Sequence, residues 1–136
     1  MLFYVSRSAL LRTSTAMALP EPQLIDIEGL QRRLGGDKEA TNAVLAAFLQ
    51  DLPGRMNELK TAVTRGDREQ VRYLSHAVKG ALLWIGVEGA GFLTESLESS
   101  AANDSDAAVK EAAENLRGFV ERACGAIESR ATAGPD

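Results

Sequence analysis

The stretch VRYLSHAVKGALLWI, residues 71–85, decides how the chain folds. Val71, Leu74, Val78, Leu82 and Ile85 recur at intervals of three or four, the spacing of one apolar stripe on an α-helix. At about 100° per residue that stripe faces a core and His76 points the opposite way, with Arg72, Lys79, Gly80 and Leu83 within about 60° of it. The only histidine of the chain is therefore expected in a water-facing patch. Two plainer readings stand beside this one: a core histidine satisfied by a hydrogen bond, and an ordinary solvated surface histidine.

Working outward, Asp67 suits the cap of this helix, and Gly66 ends the helix before it. That preceding helix is long, capped by Asp37, with Ala40, Val44, Ala47, Phe48, Leu52, Met56, Leu59 and Val63 as its expected stripe and a kink expected at Pro53. Upstream, Ile25, Ile27, Leu30 and Leu34 mark a short amphipathic helix that stops at Gly35-Gly36 and packs as a lid. Downstream, Phe92, Leu93, Leu97 and Ala101 suggest a further helix, and Asp104 or Ser105 caps a last one with Val109, Ala113, Leu116, Val120, Ala123 and Ile127 on its inner face. Linkers this short make successive helices antiparallel neighbours. The expected fold class is all-α: an up-and-down four-helix bundle with an additional short N-terminal helix.

Composition narrows the function classes. At 136 residues the chain suits one domain, and 5% aromatics with abundant Ala, Leu and Glu favour helices over sheets. A net charge of -4 and no basic stripe argue against nucleic acid as a partner. No run of about 18 apolar residues exists to span a membrane. One cysteine, Cys124, and one histidine supply neither an internal disulfide nor a zinc ligand cluster, so no metal site is expected and the compartment reads as reducing and cytoplasmic. Residues 1–21 read as a flexible or partly helical extension: the first twenty contain no acid, carry Arg7 and Arg12, and are rich in Ser and Thr. A transit peptide, or a true start at Met17, would account for the same composition. The bundle is expected over residues 22–130, and residues 131–136 as a disordered tail.

The segment HAVKGALLWIGVEGAGFLTESLE, residues 76–98, resembles the signature of histidine phosphotransfer (HPt) domains, with His76, Lys79, Gly80, Gly86, Leu97 and Glu98 in register. Leu34-Gly35-Gly36-Asp37, the Phe48-Leu49 region with Pro53, and Gly66-Asp67 are similar to further family features, so the likeness spans about residues 24–128. It implies that His76 is phosphorylated and that the partners are a response-regulator receiver domain and a hybrid sensor histidine kinase. It also implies that the catalytic acids and Mg²⁺ belong to the partner, leaving this chain without a cofactor, a phosphoryl carrier rather than an enzyme. Physical chemistry gives the matched residues reasons. Histidine as a residue type titrates near neutrality, so an exposed imidazole is neutral often enough to attack phosphorus. Lys79, one turn away, can neutralise phosphoryl oxygens. Gly80 costs roughly 1 kcal/mol of helix propensity relative to Ala, which makes sense where a side chain would block a docking partner. Glu98 is placed to orient the imidazole at the edge of the docking surface, and Arg72, Tyr73, Leu83 and Glu88 encircle His76 and bear on receiver choice. The chain departs from the family after Gly80: Ala81, Leu82, Leu83 and Trp84 stand where small or polar residues are usual, and that bulk suits an atypical partner.

The leading expectation is a monomeric, free-standing relay protein. The alternative is a non-phosphorylated helical module that docks a receiver or another signalling partner, with His76 incidental. A small hydrolase is disfavoured, because no triad, paired-carboxylate site or phosphate-cradling glycine loop is evident.

Overall fold

The computed structural model describes residues 25–132, and it is all helical apart from one isolated bridge. Five helices follow one another: α1 (Ile27–Arg33), α2 (Lys38–Arg65), α3 (Arg68–Trp84), α4 (Ala90–Asn103) and α5 (Asp106–Thr132). The expected extension and the last four residues lie outside the described residues, and α5 continues past the boundary drawn at residue 130.

Four of the five helices begin where an oxygen-bearing side chain satisfies an orphan N–H. Asp26 accepts from Gly29 N–H, Asp37 from Ala40, Asp67 from Gln70, and Ser105, rather than Asp104, from Ala108. Only α4 lacks a side-chain cap, its start being Gly89. Gly66 ends α2 in the left-handed conformation at φ 73°, leaving two residues between α2 and α3 and forcing them antiparallel. α2 runs through Pro53 without interruption.

α2 to α5 pack as a ring in which each helix touches its chain neighbours and α5 closes against α2, while α1 lies on α2. Val71, Leu74, Val78, Leu82 and Ile85 are all buried, as their spacing requires. They meet Leu52 and Leu59 of α2, Leu97 of α4, and Leu116, Val120 and Ile127 of α5 in one continuous core. The inner face of α2 is rotated from the expected one: Thr41, Leu45, Phe48, Leu52, Leu59 and Ala62 are buried, whereas Ala47 is exposed and Ala40, Val44, Met56 and Val63 are half-buried. The phase of α4 also differs. Ala90, Thr94, Leu97 and Ala101 face inward, and Phe92, expected in the core, is 77% exposed. Both shifts have one cause: Thr41 and Thr94 turn their hydroxyls back to the carbonyls of Asp37 and Ala90, and so enter the core with no polar atom left unpaired.

Two junctions hold the ends of the bundle. At one, Ile25 pairs with Val87, Asp26 N–H donates to the Gly86 carbonyl at 2.8 Å, and Gly86 sits at φ 94° with Asp26 O at 3.0 Å from where a Cβ would lie. Only glycine suits both that backbone and that approach. At the other, Arg68 donates to the carbonyls of Ser100, Ala101 and Asp104 and to Asp106 Oδ1 at 2.6 Å, joining the start of α3 to the end of α4 and the start of α5. A guanidinium at a helix C-terminus satisfies orphan carbonyls and opposes the negative end of the dipole. Arg68→Ala is expected to cost about 1–3 kcal/mol, measured by urea denaturation, because charge-assisted bonds to backbone are lost together.

Candidate functional site

α3 and α4 run antiparallel, and each step of three residues up α3 meets a step of three down α4. His76 therefore lies opposite Glu98, and Lys79 opposite Glu95. The His76 side chain is 73% exposed, with Nδ1 3.5 Å from Glu98 Oε2, and Lys79 Nζ donates to Glu95 Oε2 at 2.7 Å. The core-histidine reading is thereby removed. Nδ1 thus faces Glu98, and Nε2 lies at the opposite edge of the imidazole.

The Lys79 ammonium does not stand free. Its hydrogen bond to Glu95 raises its pKa above the ordinary lysine value; desolvation opposes this, while the charges of Glu95 and, more weakly, Glu98 add to it. The same bond holds the Glu95 carboxyl below its ordinary value. A depressed carboxyl stabilises the fold above its unfolded pKa and loses that contribution as pH falls through the folded value. A raised ammonium loses its contribution as pH rises through its own folded value. The pair is thus intact across neutral pH. Glu95 was not singled out from the sequence, although its place three residues before Glu98 repeats the His76 to Lys79 interval.

Gly80 follows His76 by four residues on the same face of α3, and a Cβ there would meet nothing within 4 Å. A glycine demanded by helix contact would show a close neighbour, so packing between helices does not require glycine at position 80. Beside it an open groove runs between α2 and α3, lined by Val44, Phe48, Asp51, Ala77, Gly80 and Trp84 among others. Apolar side chains are exposed along α3: Tyr73 at 68%, Leu83 at 45%, and Trp84 at 51% with Arg33 5.6 Å from its ring centroid. Arg72 is also exposed. Sequence reasoning missed Phe92 as a surface residue, having placed it in the core.

No other chemistry gathers in the described residues. They contain no group of three or more His, Cys, Asp or Glu that could hold a metal ion, and no helix long and apolar enough to cross a membrane. Cys124 is half-buried, and burial pushes its thiol pKa up, away from reactivity.

A family profile of the Hpt domain matches residues 43–130, well over half of the chain and all of the ring from early α2 to the last turn of α5. The chain belongs to the Hpt domain family. Its fold is similar to the crystal structure of the HPT domain from the Hpt sensor hybrid histidine kinase from Shewanella, with a TM-score of 0.68 at 15% identity over 84% of this chain and 98% of that one. Among curated proteins, none matches. Hpt domains are phosphocarrier modules rather than catalysts, so membership places this helical bundle in phosphorelay histidine phosphotransfer, among kinases and receiver domains of two-component signalling.

Proposed function

We propose that His76 accepts a phosphoryl group on Nε2 from a phospho-aspartate receiver or a sensor kinase and passes it to a response-regulator receiver, in the cytoplasm and as a monomer. The observation that carries this reading is the placement of the chain's only histidine: exposed, backed at Nδ1 by Glu98, with a side-chain-free surface at Gly80 on the same helix face. Glu98 favours the tautomer with its proton on Nδ1, which leaves the lone pair on Nε2. That lone pair forms the N–P bond as the aspartyl P–O bond breaks and the aspartate leaves as a carboxylate. The ring then carries a positive charge, because Nδ1 keeps its proton, and the Glu98 carboxylate stabilises it. Lys79 lies one turn along to neutralise phosphoryl oxygens. The partner supplies the catalytic acids and Mg²⁺. Gly80, Arg72, Tyr73 and Leu83, with Glu98 at the edge, form the docking surface.

The test is a transfer time course with Mg²⁺ and phosphorylated receivers. Label moving from receiver to chain supports the relay; docking without transfer across a broad panel supports the non-phosphorylated module instead. Gly80 provides a graded check. Gly80→Ala is expected to stabilise the helix by about 1 kcal/mol, since the Cβ enters open space. Gly80→Gln is expected to melt no lower than wild type yet slow transfer about tenfold, the equivalent of about 1.4 kcal/mol of lost docking. Thermal melts and transfer rates on the same preparations check both.

A further inference from the structure

The Lys79 ammonium stands one turn along α3 from His76, and in the resting protein it is already bonded to Glu95 at 2.7 Å. The lysine stem lies along the bundle with the side chain only 24% exposed, while the Glu95 side chain is 61% exposed. Lys79 is therefore held at the α3–α4 seam by a carboxylate that nothing else anchors among the contacts described. Two acids, Glu95 and Glu98, and Lys79, with Arg72 one turn before His76, thus border the position that a doubly charged phosphoryl group would take. A carrier that bound its cargo through an unopposed lysine would hold it too well to hand it on.

We propose that Glu95 is a positioning residue that competes with the phosphoryl group for the Lys79 ammonium, and so keeps phosphorylated His76 ready to release its cargo. The proposal rests on the reading of His76 as the phosphorylated residue. Phosphoryl transfer proceeds through a loose transition state in which charge leaves the peripheral oxygens, so a cation fully engaged there stabilises the phosphorylated ground state more than the transition state. With Glu95 present, Lys79 divides its hydrogen bonds between carboxylate and phosphoryl. Without it, the ammonium turns wholly to the phosphoryl group and the N–P bond lasts longer.

The test needs no cognate partner. The full chain is loaded with phosphoramidate, a small phosphoryl donor whose P–N bond breaks as the bond to His76 forms, the departing nitrogen leaving as ammonia. Decay of phosphohistidine is followed by phosphorus NMR for wild type, Glu95→Gln, Lys79→Met and the double variant. Glu95→Gln is expected to decay about fivefold more slowly than wild type, the scale of one charge contact near water. In the Lys79→Met background the same change is expected to lose most of its effect. Equal lifetimes for wild type and Glu95→Gln would overturn the proposal, as would an undiminished slowing without Lys79, which would mean that Glu95 acts directly by its charge. Failure of the wild type to form any phosphohistidine would overturn the relay reading itself, and this inference with it. Glu95→Gln changes an exposed side chain and Lys79→Met keeps an apolar stem along the bundle, and circular dichroism verifies that all four proteins are folded.

Discussion

His76→Gln is expected to reduce phosphoryl uptake to background while leaving the melting curve within about 0.5 kcal/mol of wild type. The chain has no second histidine to take over, and the side chain is 73% exposed, so the fold loses no packing when the imidazole goes. Glutamine keeps an amide near Glu98 and a comparable reach, but has no nitrogen lone pair able to attack phosphorus. The variant therefore separates chemistry from structure. Receiver docking should survive, because the surface around Gly80, Tyr73 and Leu83 is unchanged. Transfer assays, paired with binding measured on the same receiver, check both halves. Residual uptake in the variant would move the chemistry to another side chain.

Leu82→Ala is expected to be the most damaging substitution on α3, costing about 2–5 kcal/mol. Leu82 is fully buried in the centre of the ring, in line with Val78 and Ile85, and a helix of fixed register cannot collapse to fill the space. A domain of this size has total stability of roughly 5–15 kcal/mol, so the loss is a large share of it. The next residue makes the comparison informative. Leu83 is 45% exposed, and Leu83→Ala is expected to cost less than about 1 kcal/mol while weakening receiver docking. Denaturant titrations of the two variants distinguish the inner from the outer face of the same helix turn.

α3 was legible because Val71, Leu74, Val78, Leu82 and Ile85 mark its inner face, with Ser75 the one polar residue buried among them, while the outer face carries Arg72, His76, Lys79 and Gly80, so no other helix phase fits. That phase alone placed His76, Lys79 and Gly80 on one surface. α2 was harder to read. Its many alanines fit either face, and the residue that sets its first inward turn is Thr41, which hydropathy ranks as polar but whose hydroxyl is satisfied within the helix. Thr94 hides the phase of α4 in the same way, and the large ring of Phe92 then draws the reading to the wrong face. The Lys79–Glu95 bond depends on the sliding register of α3 against α4, which pattern along one chain does not encode. It follows from the length of the 85–89 connection and from the glycine-dependent junction at Asp26 and Gly86.

One histidine in the chain makes one measurement decisive. With the protein labelled in its imidazole nitrogens, a two-dimensional NMR spectrum contains the ring signals of His76 alone, recorded before and after Mg²⁺ and a phosphorylated receiver are added. The account predicts that Nε2 shifts on phosphorylation while Nδ1 keeps its proton toward Glu98, and that the change reverses when unphosphorylated receiver is supplied in excess. An imidazole spectrum that stays unmodified while the receiver demonstrably binds, or phosphate appearing on any other residue, would contradict it.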